Sequence, residues 1–174
     1  MALRRILDAS KTDLLRKRSR PITDIDRRIL QLLDDMADTM HSVDGCGLAA
    51  PQVGVLRRAI VVDVGDGLIE LINPELVEAS DEREDSEGCL SIPDMRGFVV
   101  RPHKVTVRGL NRKGEPVEIK AEELAAVALC HEIDHLDGVL YTDKMTRIDD
   151  SKNDGDEGGE GGEDDVDSVE FERA

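Results

Sequence analysis

The stretch AEELAAVALCHEIDHLDG, residues 121–138, constrains this chain more than any other. Its Ala and Leu content, with no proline and no interior glycine, makes it a strong helix former. Glu122 and Glu123 sit in the first turn, where they complement the helix dipole, and Gly138 is placed to stop the helix. Leu124, Val127 and Ala128 lie one or two turns before His131 on roughly its face. A helix this apolar belongs inside a protein, yet it carries two histidines and a glutamate. Burying them without partners would cost several kcal/mol. The fold must therefore wrap this helix and supply those partners.

Helical geometry says what one of them is. His131 and His135 stand about 40° apart around the axis and about 6 Å apart along it, so both imidazoles can converge on one metal ion. Glu132 flanks the same face, too close in sequence to join as a third ligand but able to reach a water on the ion. This is the content of the H-E-x-x-H pattern, two ligands with a glutamate as general base. His41 and His103 have no such company and read as ordinary polar residues.

The rest of the chain supplies one more helix and several strands. Thr23 and Asp26 form a weak capping pair, after which Ile25, Ile29, Leu32, Leu33, Met36 and Met40 recur at helical spacing. They predict an amphipathic helix over 24–41. GCGLAAPQVG (45–54) reads as a glycine-rich loop that Pro51 keeps from being regular helix. AIVVDV, LIELINP, FVVRP, KVTVRGL and PVEIKA read as strands, whereas DEREDSEGCLSIPDMRG reads as loop. Asn111, Lys113 and Gly114 form the turn between the last two strands. The order helix, strands, helix predicts an α+β fold, antiparallel strands packed around the histidine helix.

Composition excludes several functions. The net charge is −16, with two Phe, one Tyr and no Trp, so the chain lacks both the basic surface and the stacking platforms that nucleic acid requires. No apolar run approaches the length of a membrane-spanning helix. The first residues contain no apolar signal core, and three cysteines are too few for a disulfide framework; a cytoplasmic location is expected. Residues 149–174 hold 12 Asp and Glu against Lys152 and Arg173, a net −10 in a Gly-rich run that cannot bury enough apolar surface to order itself. The predicted organisation is a catalytic domain over 1–148 and a disordered acidic tail over 149–174, with at most a short helix in its closing VDSVEFERA.

A third ligand must come from upstream, because no histidine follows His135 and the only later glutamates lie in the tail. Thiolate suits two imidazoles. Cys130 points about 100° away from His131, which disfavours it. Cys46 and Cys89 both lie in Gly-containing segments, and spacing leaves both open. Three segments taken together go further. GCGLAAPQ (45–52), EGCLS (87–91) and HEIDH (131–135) resemble, in order and separation, the signature segments of the peptide deformylase family. The likeness runs from about Ile6 to Met145 and leaves out the acidic tail. Cys130 departs from it, since the family usually has Gln there.

The resemblance implies a hydrolase that removes the formyl group from the N-terminal formylmethionine of newly made proteins. It implies Cys89 as third ligand beside His131 and His135, with Glu132 moving the proton. Gln52, through its side-chain amide, and Leu90, through its backbone N–H, would stabilise the oxyanion. Gly47 would offer backbone hydrogen bonds to the substrate, and Gly45 and Gly47 can adopt φ > 0 and allow close backbone approach. Cys46, Leu124, Val127 and Ala128 are nominated for the methionine pocket, and Arg96 and Arg101 as substrate contacts or as partners of Glu87. The ligand types accept Fe²⁺, Zn²⁺, Co²⁺ or Ni²⁺, and the family implies Fe²⁺. Expected partners are N-formylmethionyl nascent peptides and, transiently, the ribosome's surroundings, with docking through the acidic tail disfavoured by RNA phosphates.

Overall fold

The structure, a computed structural model, describes residues 2–151. The first long element is α1, Arg27–Ser42, whose N-cap is Asp26: its carboxylate accepts from the backbone N–H groups of Arg28 and Ile29. The predicted start at residue 24 was early. Thr23 makes no cap, because Asp26 satisfies the orphan donors one turn later. Six strands follow in one antiparallel sheet: β1 (Gly47–Ala49), β2 (Ala59–Val62), β3 (Ile69–Cys89), β4 (Ile92–Leu110), β5 (Pro116–Glu122) and β6 (Met145–Ile148). Their spatial order is β1-β2-β3-β4-β5, with β6 on β4. The histidine helix is α2, Glu123–Leu136, so the fold is α+β as expected.

Period-two alternation in β2 sorts the core. Ala59 and Val61 face the cluster that includes Leu32, Leu33, Met36 and Met40 of α1, whereas Ile60 and Val62 face the cluster with Ala126 and Leu129 of α2. Covered on both faces, β2 is buried at all four positions and reads as a continuous apolar run. Leu33, Met36 and Met40 are wholly inaccessible, each burial contributing about 1.5–3 kcal/mol.

The segment DEREDSEGCLSIPDMRG was expected to be loop and is not. It forms the far half of β3 and the start of β4, paired from Ser80–Lys104 to Cys89–Ile92. Its outward residues are charged on both faces, so no apolar alternation marks it, and the ladder to β4 alone defines it. FVVRP and KVTVRGL likewise belong to one strand rather than two. Asn111 makes the predicted turn into β5, its side-chain oxygen accepting from the N–H groups of Lys113 and Glu115.

At its C-terminus α2 closes with Gly138 at φ 76°, whose N–H donates to the His135 carbonyl while the N–H of Val139 donates to that of Asp134. Ser19 donates its N–H to the Leu136 carbonyl at 2.8 Å, tying the histidine-bearing end of the helix to the N-terminal segment.

Candidate metal centre and cleft

The hairpin between β3 and β4 folds back over α2 and carries Cys89 at its tip. There Cys89 Sγ lies 3.3 Å from His135 Nε2. Donor atoms of Cys89, His131 and His135 all fall within 4.8 Å of one another, and no other trio of such residues gathers this way among the described residues. The choice that spacing left open between Cys46 and Cys89 thus resolves to Cys89. Cys46 is exposed beside the group, and Cys130 is buried in the core, where burial pushes its thiol up to about 11. His41 and His103 lie elsewhere, against Asp63 and Glu123 respectively.

Buried partners hold these ligands. His131 Nδ1 meets Glu87 Oε2 at 2.8 Å, which turns its other nitrogen toward the thiol. Glu87 also accepts two hydrogen bonds from Arg101, at 2.7 and 3.1 Å, and Arg101 reaches on to Asp134 at 2.5 Å. Arg101 is therefore a buried partner of Glu87 rather than a substrate contact. Burial alone would raise the Glu87 carboxyl, but His131 and Arg101 outweigh it and bring it down to about 2. Tyr141, also buried, stacks on His131 with ring centroids 6.1 Å apart and donates its hydroxyl to the Met95 carbonyl. Sequence named Glu87 only as a partner of the arginines; its hold on His131 depends on the β3–β4 pairing, which sequence did not reveal. Tyr141 carried no signal in the sequence.

Glu132 is 4% exposed, and its Oε2 has no hydrogen-bond partner. Burial pushes its carboxyl up to about 7, into the range of a group that exchanges protons at neutral pH. Gly47 makes room for it: a Cβ there would collide with Glu132 Oε1 and stand 2.9 Å from both Cγ and Cδ. Neither Gly45 nor Gly47 has the positive φ expected of them. Close approach, not backbone conformation, is what these glycines provide; a Cβ on Gly45 would come within 2.9 Å of Leu90 Cδ1.

Gln52 sits in the turn Ala50–Val53 that follows β1. Its Oε1 accepts the Ala49 N–H at 2.8 Å, which aims the amide nitrogen at Ser91 Oγ, 3.2 Å, and Cys89 Sγ, 3.5 Å. These groups open onto a cleft of about 760 Å³, large enough for several peptide residues. Leu90, Cys46, Val127 and Ala128 line it, as does Leu124, which is 54% exposed rather than packed against the histidines. Arg96 lines it too, its guanidinium bound to the Ser86 carbonyl at 2.8 Å and hydroxyl at 3.1 Å.

One thiol and two imidazoles held by buried carboxylate and arginine suit a divalent transition metal, and three ligands leave a position open for substrate or water. With a partnerless glutamate beside them in an open cleft, they define a metal-dependent hydrolase. Comparison with known proteins makes this specific. The family model described as polypeptide deformylase matches residues 3–151, and the chain belongs to that family. The peptide deformylase of Acetivibrio thermocellus is 61% identical over 138 residues, covering 79% of this chain and 81% of that one. The crystal structure of the Thermotoga maritima peptide deformylase superposes with a TM-score of 0.81 at 39% identity, covering 84% of this chain and 99% of that one. The Synechococcus elongatus peptide deformylase, solved in complex with actinonin, has a TM-score of 0.79 at 38% identity and covers 82% of this chain and 79% of that one. This chain is an enzyme that removes the N-formyl group from nascent peptides. Cys89, His131 and His135 form the metal site typical of such enzymes.

Proposed function

We propose that the resident ion is Fe²⁺, that Glu132 carries the proton in deformylation, and that Gln52 and the Leu90 N–H hold the developing oxyanion. The observation supporting this most is the isolation of Glu132 Oε2, buried beside the ligand trio with no partner of its own. When bound, the ion would supply Lewis-acid polarisation and lower the pKa of water to roughly 7.

The chain's own residues do the rest. Glu132 takes a proton from the attacking water and passes it to the methionine nitrogen as the C–N bond breaks, leaving formate and a free amine. Gln52 is preset for the oxyanion because its other amide atom is committed to Ala49; losing such a donor typically costs about 3–4 kcal/mol of barrier. Gly47 faces the substrate backbone, and Cys46, Leu124, Val127 and Ala128 take the methionine side chain, with Arg96 beside the chain that follows it.

Residues 1–148 form the catalytic domain in this reading. The predicted tail, 149–174, falls outside the described residues from 152 onward, as does the expected short helix. No helix of the described residues is long and apolar enough to cross a membrane. A cytoplasmic site of action near ribosomes is part of the proposal. To test the metal assignment, the protein is prepared without oxygen, loaded in turn with Fe²⁺, Zn²⁺, Ni²⁺ and Co²⁺, and assayed for formate release at one metal equivalent. The ferrous form is expected to be fast and to lose activity in air. Greater activity of the zinc form would overturn the assignment.

A further inference from the structure

One wall of the cleft contains a bulge that the sheet does not hold. The β3–β4 ladder pairs Glu87 with Gly97 and Gly88 with Arg96, then jumps to Cys89 with Ile92, so Pro93, Asp94 and Met95 face no partner. Asp94 stands at φ 62°, in the left-handed region, and Pro93 has no N–H to give. All three residues are exposed and line the cleft. Next along the chain, Arg96 is fixed by its guanidinium to Ser86, which confines the unpaired stretch to these three. Bulges of this kind re-aim side chains beside active sites, but an unpaired stretch needs another tie to keep its shape. Tyr141 supplies one: its hydroxyl donates to the Met95 carbonyl at 3.0 Å. Tyr141 is 1% exposed and opens the turn Tyr141–Asp143 after α2, its own carbonyl accepting from the Lys144 N–H at 3.0 Å. The face of its ring stacks on His131, with 6.1 Å between centroids and 26° between planes. One buried side chain thus touches a metal ligand with its ring and the cleft wall with its hydroxyl.

We infer that Tyr141 is a positioning residue whose hydroxyl holds the 93–95 bulge in the shape that receives the peptide chain. The inference rests on the proposed path of substrate through this cleft. A buried phenol needs an acceptor and an unpaired carbonyl needs a donor, and this contact satisfies both. Phenylalanine at 141 keeps the ring against His131 and removes the hydroxyl alone. Water can take its place on the carbonyl of an exposed bulge, so the fold is retained while the bulge loses its fixed position. A peptide must then order the bulge as it binds, which weakens binding about three- to tenfold, the equivalent of one hydrogen bond. The Cys89, His131 and His135 group keeps its partners, so the chemical step is left as it was.

The test compares the native, metal-loaded full chain with Tyr141→Phe and Tyr141→Leu. Formate release from formyl-Met-Ala-Ser gives kcat and KM, and fluorescence anisotropy of Met-Ala-Ser labelled at its C-terminus gives Kd without turnover. Amide hydrogen exchange reports on the backbone at 94–96. Tyr141→Phe should raise KM and Kd about three- to tenfold and leave kcat and metal affinity within about twofold. Exchange at 94–96 should quicken while that of α2 stays as in the native chain. Tyr141→Leu also takes the ring from His131 and should lower metal affinity in addition. Unchanged KM, Kd and exchange in Tyr141→Phe overturns the inference. A fall in kcat and metal affinity with KM and Kd unmoved also overturns it, because the hydroxyl would then serve His131 and not the bulge. Weaker Met-Ala-Ser binding and faster exchange in Tyr141→Phe, with no formate released even by the native chain, would uphold the inference and overturn the catalytic reading instead.

Discussion

Gly47→Ala is the substitution whose outcome the geometry fixes most tightly. Gly47 has an ordinary φ, so alanine introduces no backbone strain there. The added methyl meets the Glu132 side chain at 2.9 Å from Cγ and Cδ and closer still at Oε1. Glu132 must therefore leave its rotamer, which costs about 0.5–1.5 kcal/mol. Lower entropy of the unfolded chain offsets about 0.4–1 kcal/mol of that, so net stability hardly changes. Activity responds differently. Moving the proposed general base by about 1 Å should cost on the order of a hundredfold, or about 2.7 kcal/mol of barrier. The backbone hydrogen bonds proposed from residue 47 to a substrate need no side chain and would survive the change, so the loss should appear in kcat. The assay is formate release beside metal content and thermal unfolding. Wild-type kcat within about threefold, with metal and Tm intact, would refute the assignment of Glu132's position as the reason for glycine here.

Other expectations concern the buried supports. Glu87→Gln leaves Arg101 with Asp134 as its remaining carboxylate; it should cost about 1–3 kcal/mol of stability and lower metal affinity about 10–100-fold, read by denaturant unfolding and competitive chelation. Gly138→Ala places a methyl against the Arg16 carbonyl, 2.7 Å from its carbon, at φ 76°. It should cost roughly 1–3 kcal/mol, because backbone rather than a movable side chain is in the way. Asp35 has a carboxyl held below its ordinary 3.8 by the Ala2 N–H, helped by Gln31 and Arg4 against burial. A carboxyl with a depressed folded pKa contributes stability that is fully present above 3.8 and lost as pH falls through the lower folded value. The Tm gap between wild type and Asp35→Asn should therefore be constant near neutrality and close below pH 3.8.

The helix bearing His131, Glu132 and His135 was legible from sequence because composition, spacing and terminal glycine all agreed. Strand β2 was legible for a related reason: residues covered on both faces must be apolar. The acidic half of β3 was not, since a strand exposed on both sides carries no alternation, and its pairing with β4 is a long-range fact. Cys89 could be distinguished from Cys46 only through the resemblance, because both lie in Gly-containing segments that line the same cleft and only the β3–β4 hairpin brings one of them to His135. Of the two properties expected of Gly47, close approach holds and positive φ does not. Its neighbour Glu132 lies 85 residues further along, and only the packing of β1 on α2 reveals that a side chain would not fit. Leu124 lines the cleft but at its exposed lip, a degree of exposure that the helical pattern could not reveal.

The central claim is that the Cys89, His131 and His135 site deformylates with Glu132 as its proton carrier. Its most direct test measures formate release from formyl-Met-Ala-Ser by anaerobically prepared, Fe²⁺-loaded protein, with Glu132→Gln beside it. The account predicts rapid release by the wild type, and one bound metal equivalent but release lower by about 10²–10⁴ in the variant. Equal rates from the two proteins would contradict it.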